Sequence, residues 1–151
     1  MCEIKIRKAT IEDAETIIDF NSKMAFETEE MKLNHKLISN GVKNLFSHPE
    51  YGYYLVAEKN GVIAGQLMIT YEWSDWRNGL FWWVQSVYVA KEFRRQGIYK
   101  KMYEWIKEKA KHTDNVCGIR LYVEKENKVA QNTYKNLGMV ETHYNLYEEV
   151  F

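Results

Sequence analysis

Ile4 and Ile6 alternate with Lys5 and Arg7, the period-two pattern of a strand with one buried face. Thr10-Ile11-Glu12-Asp13 then supplies a cap residue and an acidic first turn, and Ile11, Ala14, Ile17 and Ile18 keep one face of a helix. A second stripe, Leu33, Leu37, Ile38, Val42, Leu45 and Phe46, predicts another helix that ends near His48-Pro49. Tyr53 to Glu58, the Asn60-Gly61 turn and Val62 to Thr70 predict an antiparallel hairpin, because Asn-Gly readily takes up the positive φ of a type I′ turn. Trp73 to Gly79 reads as a loop, with Asn78-Gly79 a second turn signal. Leu80 to Val89 is apolar on both faces, which predicts a central strand. A helix follows to about Lys111 with Ile98, Met102, Trp105 and Ile106 inward. Ile119 to Val123 reads as a strand, Asn127 to Asn136 as a helix stopped by Leu137-Gly138, and Met139 to about Val150 as a last strand. The order βααββ-β-αβαβ contains no repeat and no linker. It predicts one α+β domain over residues 1–151, with a mixed, mostly antiparallel sheet and one parallel crossover around the helix that begins near Arg94.

Composition narrows the function classes. With 151 residues, 46% apolar and 28% charged residues, one Pro and 8 Gly, the chain is neither disordered nor low-complexity. Basic and acidic residues balance at 21 each, so there is no overall positive field of the kind a generic nucleic-acid binder uses. Cys2 and Cys117 form neither a disulfide framework nor a metal pattern, in keeping with a reducing cytoplasm. His35, His48, His112 and His143 lack ligand spacing, so no metal is expected. The start alternates charge with aliphatics, and no apolar run reaches 18 residues; a soluble protein without a membrane segment is expected. The aromatic fraction is 15%, with 11 Tyr and 5 Trp, several of them crowded between Tyr71 and Tyr88, which points to a lined cavity or an interface.

The chemistry concentrates after the apolar strand. Arg94-Arg95-Gln96-Gly97-Ile98-Tyr99 opens a helix, and this places backbone N–H groups and two guanidinium groups around a helix N-terminus. Gly97 lets the main chain approach a ligand, and Arg94 and Arg95 can grip phosphate oxygens bidentately. The bland reading of the hexapeptide alone is a solvated turn. The rest of the chain adds Asn127-x-x-Ala130-x-x-x-Tyr134-x-x-Leu137-Gly138-Met139 in the order and at the distance expected of a second motif.

With these residues the sequence resembles the GNAT superfamily, the Gcn5-related N-acetyltransferases, over essentially its whole length. Ser86-Val87-Tyr88-Val89 with Arg94 to Tyr99 is similar to the family's acetyl-CoA motif, [QR]-x-x-G-x-[GA], and the Asn127 to Met139 segment to its C-terminal motif. The resemblance implies a three-layer α/β sandwich, acetyl-CoA as co-substrate and an amine acceptor. Two departures stand out: Tyr99 replaces the usual Gly or Ala, and Gln85 sits where many relatives carry a Glu. Gln cannot accept a proton at neutral pH.

Acetyl transfer to an amine needs a neutral amine, a stabilised oxyanion and a protonated leaving thiolate, and the family's attack is direct. The resemblance implies Val89 N–H as the oxyanion donor and Val87 as the pantetheine-pairing residue. It also implies that Tyr134 donates a proton to the sulfur, or else only packs, and that Asn127 bonds pantetheine amides or merely caps its helix. For amine deprotonation the candidates are Gln85 with an ordered water, Glu27, Glu29 and Glu72. Glu72, Trp73 and Asp75 lie on the loop before the apolar strand. Carboxylates interleaved with Trp73, Trp76, Trp82 and Trp83 suit a cationic amine, although Glu runs also form solvated faces and Trp clusters also form cores. Cys117 reads as an ordinary small residue and not as a nucleophile.

Three functions compete: a catalytic N-acetyltransferase, a non-catalytic acetyl-CoA sensor suggested by Gln85 and Tyr99, and a single-strand nucleic-acid binder using Tyr71, Trp73, Trp76 and Trp82. Zero net charge argues against the last. Tyr144, Tyr147 and the segment Glu148 to Phe151 fit either a homodimer interface or a capped edge strand.

Overall fold

Strand β1 (Ile4–Lys8) lies along β2 (Gly52–Lys59), with Ile4 opposite Lys59 and Ile6 opposite Ala57. This is the outer pair of a five-stranded sheet ordered β1-β2-β3-β4-β5, in which β3 spans Val62–Ser74, β4 Gly79–Val89 and β5 Val116–Arg120. A computed structural model describes residues 3–151; Cys2 lies outside the described residues. The chain divides into two units, one ending at Leu121 and one running from Tyr122 to Phe151.

In the first unit, helices α1 (Ala14–Glu29) and α2 (His35–Ser47) bury Ile17, Ile18 and Val42 against Tyr54, Val56 and Met68 on one face of the sheet. Asn34 caps α2 by accepting the Leu37 N–H at 3.0 Å. Helix α3 (Ile98–Lys111) covers the other face, where Ile98, Met102 and Ile106 meet Leu55, Leu67, Ile69, Trp82 and Val84. Each fully buried aliphatic of this kind contributes about 1.5–3 kcal/mol. Strands β1 to β4 are antiparallel, and β4 runs parallel to β5 through α3, the expected single crossover. Arg7 ties the first strand to the entry of α1: its guanidinium donates to both Asp13 oxygens at 2.8 and 3.0 Å and to Glu58 at 2.8 Å.

Several expectations need correction. Trp73 and Ser74 belong to β3, paired with Leu80 and Gly79, so the connection is only the four-residue turn 75–78. The Asp75 side chain accepts the Trp76 N–H, its carbonyl accepts the Asn78 N–H, and Asn78 takes φ 47°, so a tight turn suffices and the ladder can run to its end. The strand after α3 is Val116–Arg120, earlier than Ile119 to Val123. β4 is an interior strand and β3 holds the middle of the sheet.

The second unit contains α4 (Lys128–Asn136), capped by Asn127 Oδ1, which accepts the Ala130 N–H at 3.1 Å. The last strand expected over Met139 to Val150 is absent among the described residues. Met139 N–H closes onto the Tyr134 carbonyl, and the chain beyond it forms no ladder, so its alternating side chains, Val140, Tyr144, Leu146 and Val150 among them, stand exposed. Alternation produces a strand only where a neighbouring backbone accepts the hydrogen bonds.

Candidate active site

The site grows from one irregularity in β4. Met68 faces Gln85 and Gln66 faces Tyr88, so the single residue Leu67 opposes both Ser86 and Val87. This is a β-bulge, with Ser86 at φ 53°. Uninterrupted alternation would put residue 88 on the same face as Trp82 and Val84. The extra residue switches the parity: Val87 and Val89 now pack on the α3 side, and Tyr88 packs on the α1 side with its ring 5.0 Å from Phe20. Gln66, fully buried, secures the bulge by donating from Nε2 to the Ser86 carbonyl at 3.1 Å.

The same strand loses its neighbour at this point. β5 pairs with β4 only from Leu80 to Trp83, so among the described residues no strand pairs with the β5 side of β4 from Val84 onward. Ala90 N–H donates to Ala64 O on the β3 side. By strand alternation the N–H and C=O of Val89 therefore face the open edge. Arg94 Nε takes that carbonyl at 2.9 Å, which leaves the Val89 N–H directed at the gap.

Beyond β4, a 3-10 turn over Lys91–Phe93 leads to extended Arg94, then Arg95 at φ 64° and Gly97 at φ 76°. Gly97 stands immediately before α3, and no side chain caps that helix, so its first-turn N–H groups remain for another acceptor. Arg95 and Gly97 are exposed, and nothing lies within 4 Å of where a Gly97 side chain would begin. Alternating left-handed residues before a helix N-terminus form a concavity of N–H groups that suits an anion. Gln96 is engaged elsewhere, accepting from Lys59 and donating to the Glu92 carbonyl. Ile98 is buried, and the Tyr99 ring packs against the α3-side core 6.2 Å from Tyr103. The bulk at position 99 is thus absorbed by the core.

Glu27 and Glu72, both acceptor candidates, sit at different ends of β4. Glu27 on the last turn of α1 meets Arg94 at 3.1 Å, and the Tyr88 phenol together with that guanidinium holds its carboxyl below the usual range. Burial, with the Glu27 carboxylate beside it, pushes the Tyr88 phenol up to about 12. Glu72 accepts from Trp83 Nε1 and from Arg120, each at 2.9 Å, and these donors likewise lower it. Glu72 pairs with Phe81, seven residues before Tyr88, which separates the two carboxylates by roughly 20 Å of strand. Trp82 is in the core, while Trp73, Trp76, Asp75 and Glu29 are exposed. The structure therefore does not gather these residues into one acidic aromatic cage. A cavity of about 700 Å³ lies instead beside α1, lined by Phe20, Phe26, Glu27, Ile63, Tyr88 and Lys91 among others.

Gln85 Nε2 donates to Thr70 Oγ1 at 2.6 Å, which leaves the amide oxygen as an acceptor. In the second unit, Asn127 is the cap of α4, Ala130 lies within the first turn, and burial raises the Tyr134 phenol above its ordinary value. Sequence reasoning missed Gln66, Thr70 and Arg120. Arg120 follows Ile119 at the end of β5, and its guanidinium lies 3.7 Å from the centre of the Phe81 ring, a contact that only the fold creates. Among the described residues no cluster of His, Cys, Asp and Glu is arranged for a metal, and no helix is long and apolar enough to cross a membrane.

Comparison with known proteins fits this geometry. The model of the acetyltransferase (GNAT) family matches residues 12–139. A possible acetyltransferase from Clostridium difficile 630 is 46% identical with TM-score 0.92, over 98% of this chain and 97% of its own. A predicted acetyltransferase from Clostridium acetobutylicum, crystallised with acetyl-CoA, shares the fold at 19% identity, TM-score 0.78, over 97% and 96% of the two chains. So does glucosamine-6-phosphate N-acetyltransferase from Arabidopsis thaliana, at 22% identity and TM-score 0.74, over 97% and 98%.

Proposed function

Because the chain belongs to the GNAT acetyltransferase family, we propose that it moves the acetyl group of acetyl-CoA directly to a primary amine of a small molecule or peptide. The observation that carries this reading is the unpaired β5-side edge of β4 from Val84 to Val89, ending at an uncapped helix preceded by two left-handed residues. An extended amide chain with a diphosphate at one end fits both features at once: strand addition along the edge, and N–H groups with a cation at the helix. The family match runs across the boundary near residue 121, which supports treating the two units as one acetyltransferase domain.

Acetyl-CoA, when bound, supplies an activated acetyl thioester. Val87 offers its backbone to the pantetheine arm, and the N–H groups around Gly97 with the Arg95 guanidinium hold the diphosphate. Val89 N–H is the donor for negative charge on the acyl oxygen, worth about 3–4 kcal/mol in sites of this type. The amide oxygen of Gln85 holds a water that relays the amine's proton out to solvent, since Gln85 itself cannot accept it. Tyr134 is the proton donor for the departing sulfur: burial keeps its phenol protonated through neutral pH, so an O–H stands ready to hydrogen-bond the developing thiolate and hand over its proton, which the phenolate regains from water. Asn127 has its Oδ1 on the helix cap and its side-chain N–H groups for pantetheine carbonyls. The proposed compartment is a reducing cytoplasm.

The test is a panel of polyamines, aminoglycosides, amino acids and peptide N-termini incubated with acetyl-CoA and analysed by mass spectrometry. An enzyme-dependent acetylated amine supports the reading and names the acceptor class. Tight acetyl-CoA binding with no acetylated product from any member favours the sensor alternative.

A further inference from the structure

Arg94 opens the phosphate-side loop, yet its guanidinium is committed elsewhere. Nε donates to the Val89 carbonyl at 2.9 Å, Nη2 reaches the two Glu27 oxygens at 3.1 and 3.3 Å, and the group lies 5.4 Å from the centre of the Tyr88 ring. Three separate parts of the chain meet there: the last turn of α1, the end of β4 and the loop before α3. We propose that Glu27, Tyr88 and Arg94 form a clasp of positioning residues that couples occupation of the loop at residues 94–97 to the docking of the α1 C-terminal turn and to the orientation of Val89. This rests on the reading of that loop as the co-substrate cradle.

The physical argument is one of shared parts. Arg94 cannot swing toward a phosphate without surrendering the Val89 carbonyl and the Glu27 carboxylate. A planar guanidinium serves both acceptors at once, which a lysine ammonium on a flexible stem does not reproduce. The Tyr88 ring fixes the plane on which the guanidinium rests, and it is available there only because the bulge at Ser86 turns residue 88 toward α1. Ordering the loop then orders the α1 turn, and the reverse holds by linkage. The exposed turn after the clasp, Thr28 to Met31, leaves α1 through Glu30 at φ 51° and hydrogen-bonds back to that helix, Glu30 N–H to the Phe26 carbonyl and Met31 N–H to the Ala25 carbonyl. The Glu27 carboxylate ties this helix end to the loop before α3.

Hydrogen exchange followed by mass spectrometry, with and without acetyl-CoA, tests the coupling in the full chain, alongside calorimetric titration of acetyl-CoA. In the wild type, acetyl-CoA is expected to slow exchange across residues 25–30 by about fivefold or more, the lower end of ordinary site-to-site coupling. Glu27→Gln, an exposed change that spares the fold, is expected to reduce that slowing to under about twofold and to weaken acetyl-CoA binding by a similar factor of about five. Arg94→Lys, which keeps the charge but not the fork, is expected to lose the slowing as well. Equal slowing in wild type and Glu27→Gln, or binding that leaves residues 25–30 unprotected in the wild type, would overturn the clasp while leaving the acetyltransferase reading intact. Absence of any acetyl-CoA binding to the wild type would overturn both.

Discussion

Gln66 and Ser86 meet across the β3–β4 ladder at the point where β4 changes the direction of its side chains. Gln66 Nε2 donates to the Ser86 carbonyl at 3.1 Å, Ser86 holds φ 53°, and the other Gln66 amide atom, Oε1, is buried without a hydrogen-bond partner. A bulge is thus maintained against two unfavourable terms, a left-handed serine and an orphan oxygen. It sets the facing of every residue beyond it in β4: Val87 and Val89 toward α3, Tyr88 toward α1.

Gln66→Ala removes that bond and leaves a cavity, and is expected to cost about 2–4 kcal/mol in urea unfolding while weakening acetyl-CoA binding. Ser86→Val puts a β-branched residue at positive φ and is expected to destabilise by about 1–3 kcal/mol, whereas Ser86→Gly is tolerated. Circular dichroism melts on the three variants, with calorimetry of acetyl-CoA, check the order.

Gly97 stands at φ 76° in open space. The cost of Gly97→Ala is therefore backbone strain alone, about 1–2 kcal/mol, with no clash. The loop relaxes away from the left-handed form, so acetyl-CoA affinity is expected to fall by more than the thermal stability suggests. Calorimetric titration beside a melting curve separates the two effects.

Acid stability rests in part on Asp13. The side-chain hydrogen bonds from Arg7 hold its carboxyl below the ordinary 3.8, against the opposing effect of burial. A group depressed in the folded state contributes stability that is complete above its unfolded value and is lost as pH falls through the folded one. Asp13→Asn is expected to lose about 2 kcal/mol at neutral pH, because Arg7 keeps only part of its partnership, and to flatten the decline of stability below about pH 4. Urea midpoints across that range are the measurement.

How much of this was legible in the sequence depends on what each residue's role is made of. Amphipathic helices, the Asn60-Gly61 hairpin and the motif around Gly97 follow from side-chain period and local turn chemistry, and the structure places them as expected. The bulge did not show, because a run apolar on both faces, Phe81 to Val89, carries no alternation in which an extra residue could be noticed. The residue pattern marks Arg94 as an anion ligand but cannot show a backbone carbonyl, and Val89 O is an acceptor that holds its guanidinium in the structure. Glu27 and Glu72 share a residue type, and strand register sets them apart. The segment after Gly138 has strand-like alternation, but pairing is a property of neighbours, and among the described residues no ladder forms there.

The central claim is direct acetyl transfer from acetyl-CoA to an amine with Tyr134 protonating the sulfur. The most direct measurement is free-thiol release from acetyl-CoA, with and without amine, by the wild type and by Tyr134→Phe. Thiol release that requires an amine, and falls in kcat by at least about tenfold in the variant, a barrier of roughly 1.4 kcal/mol, with little change in KM, is the predicted result. Release that proceeds equally without any amine, or an unchanged kcat in Tyr134→Phe, would contradict it.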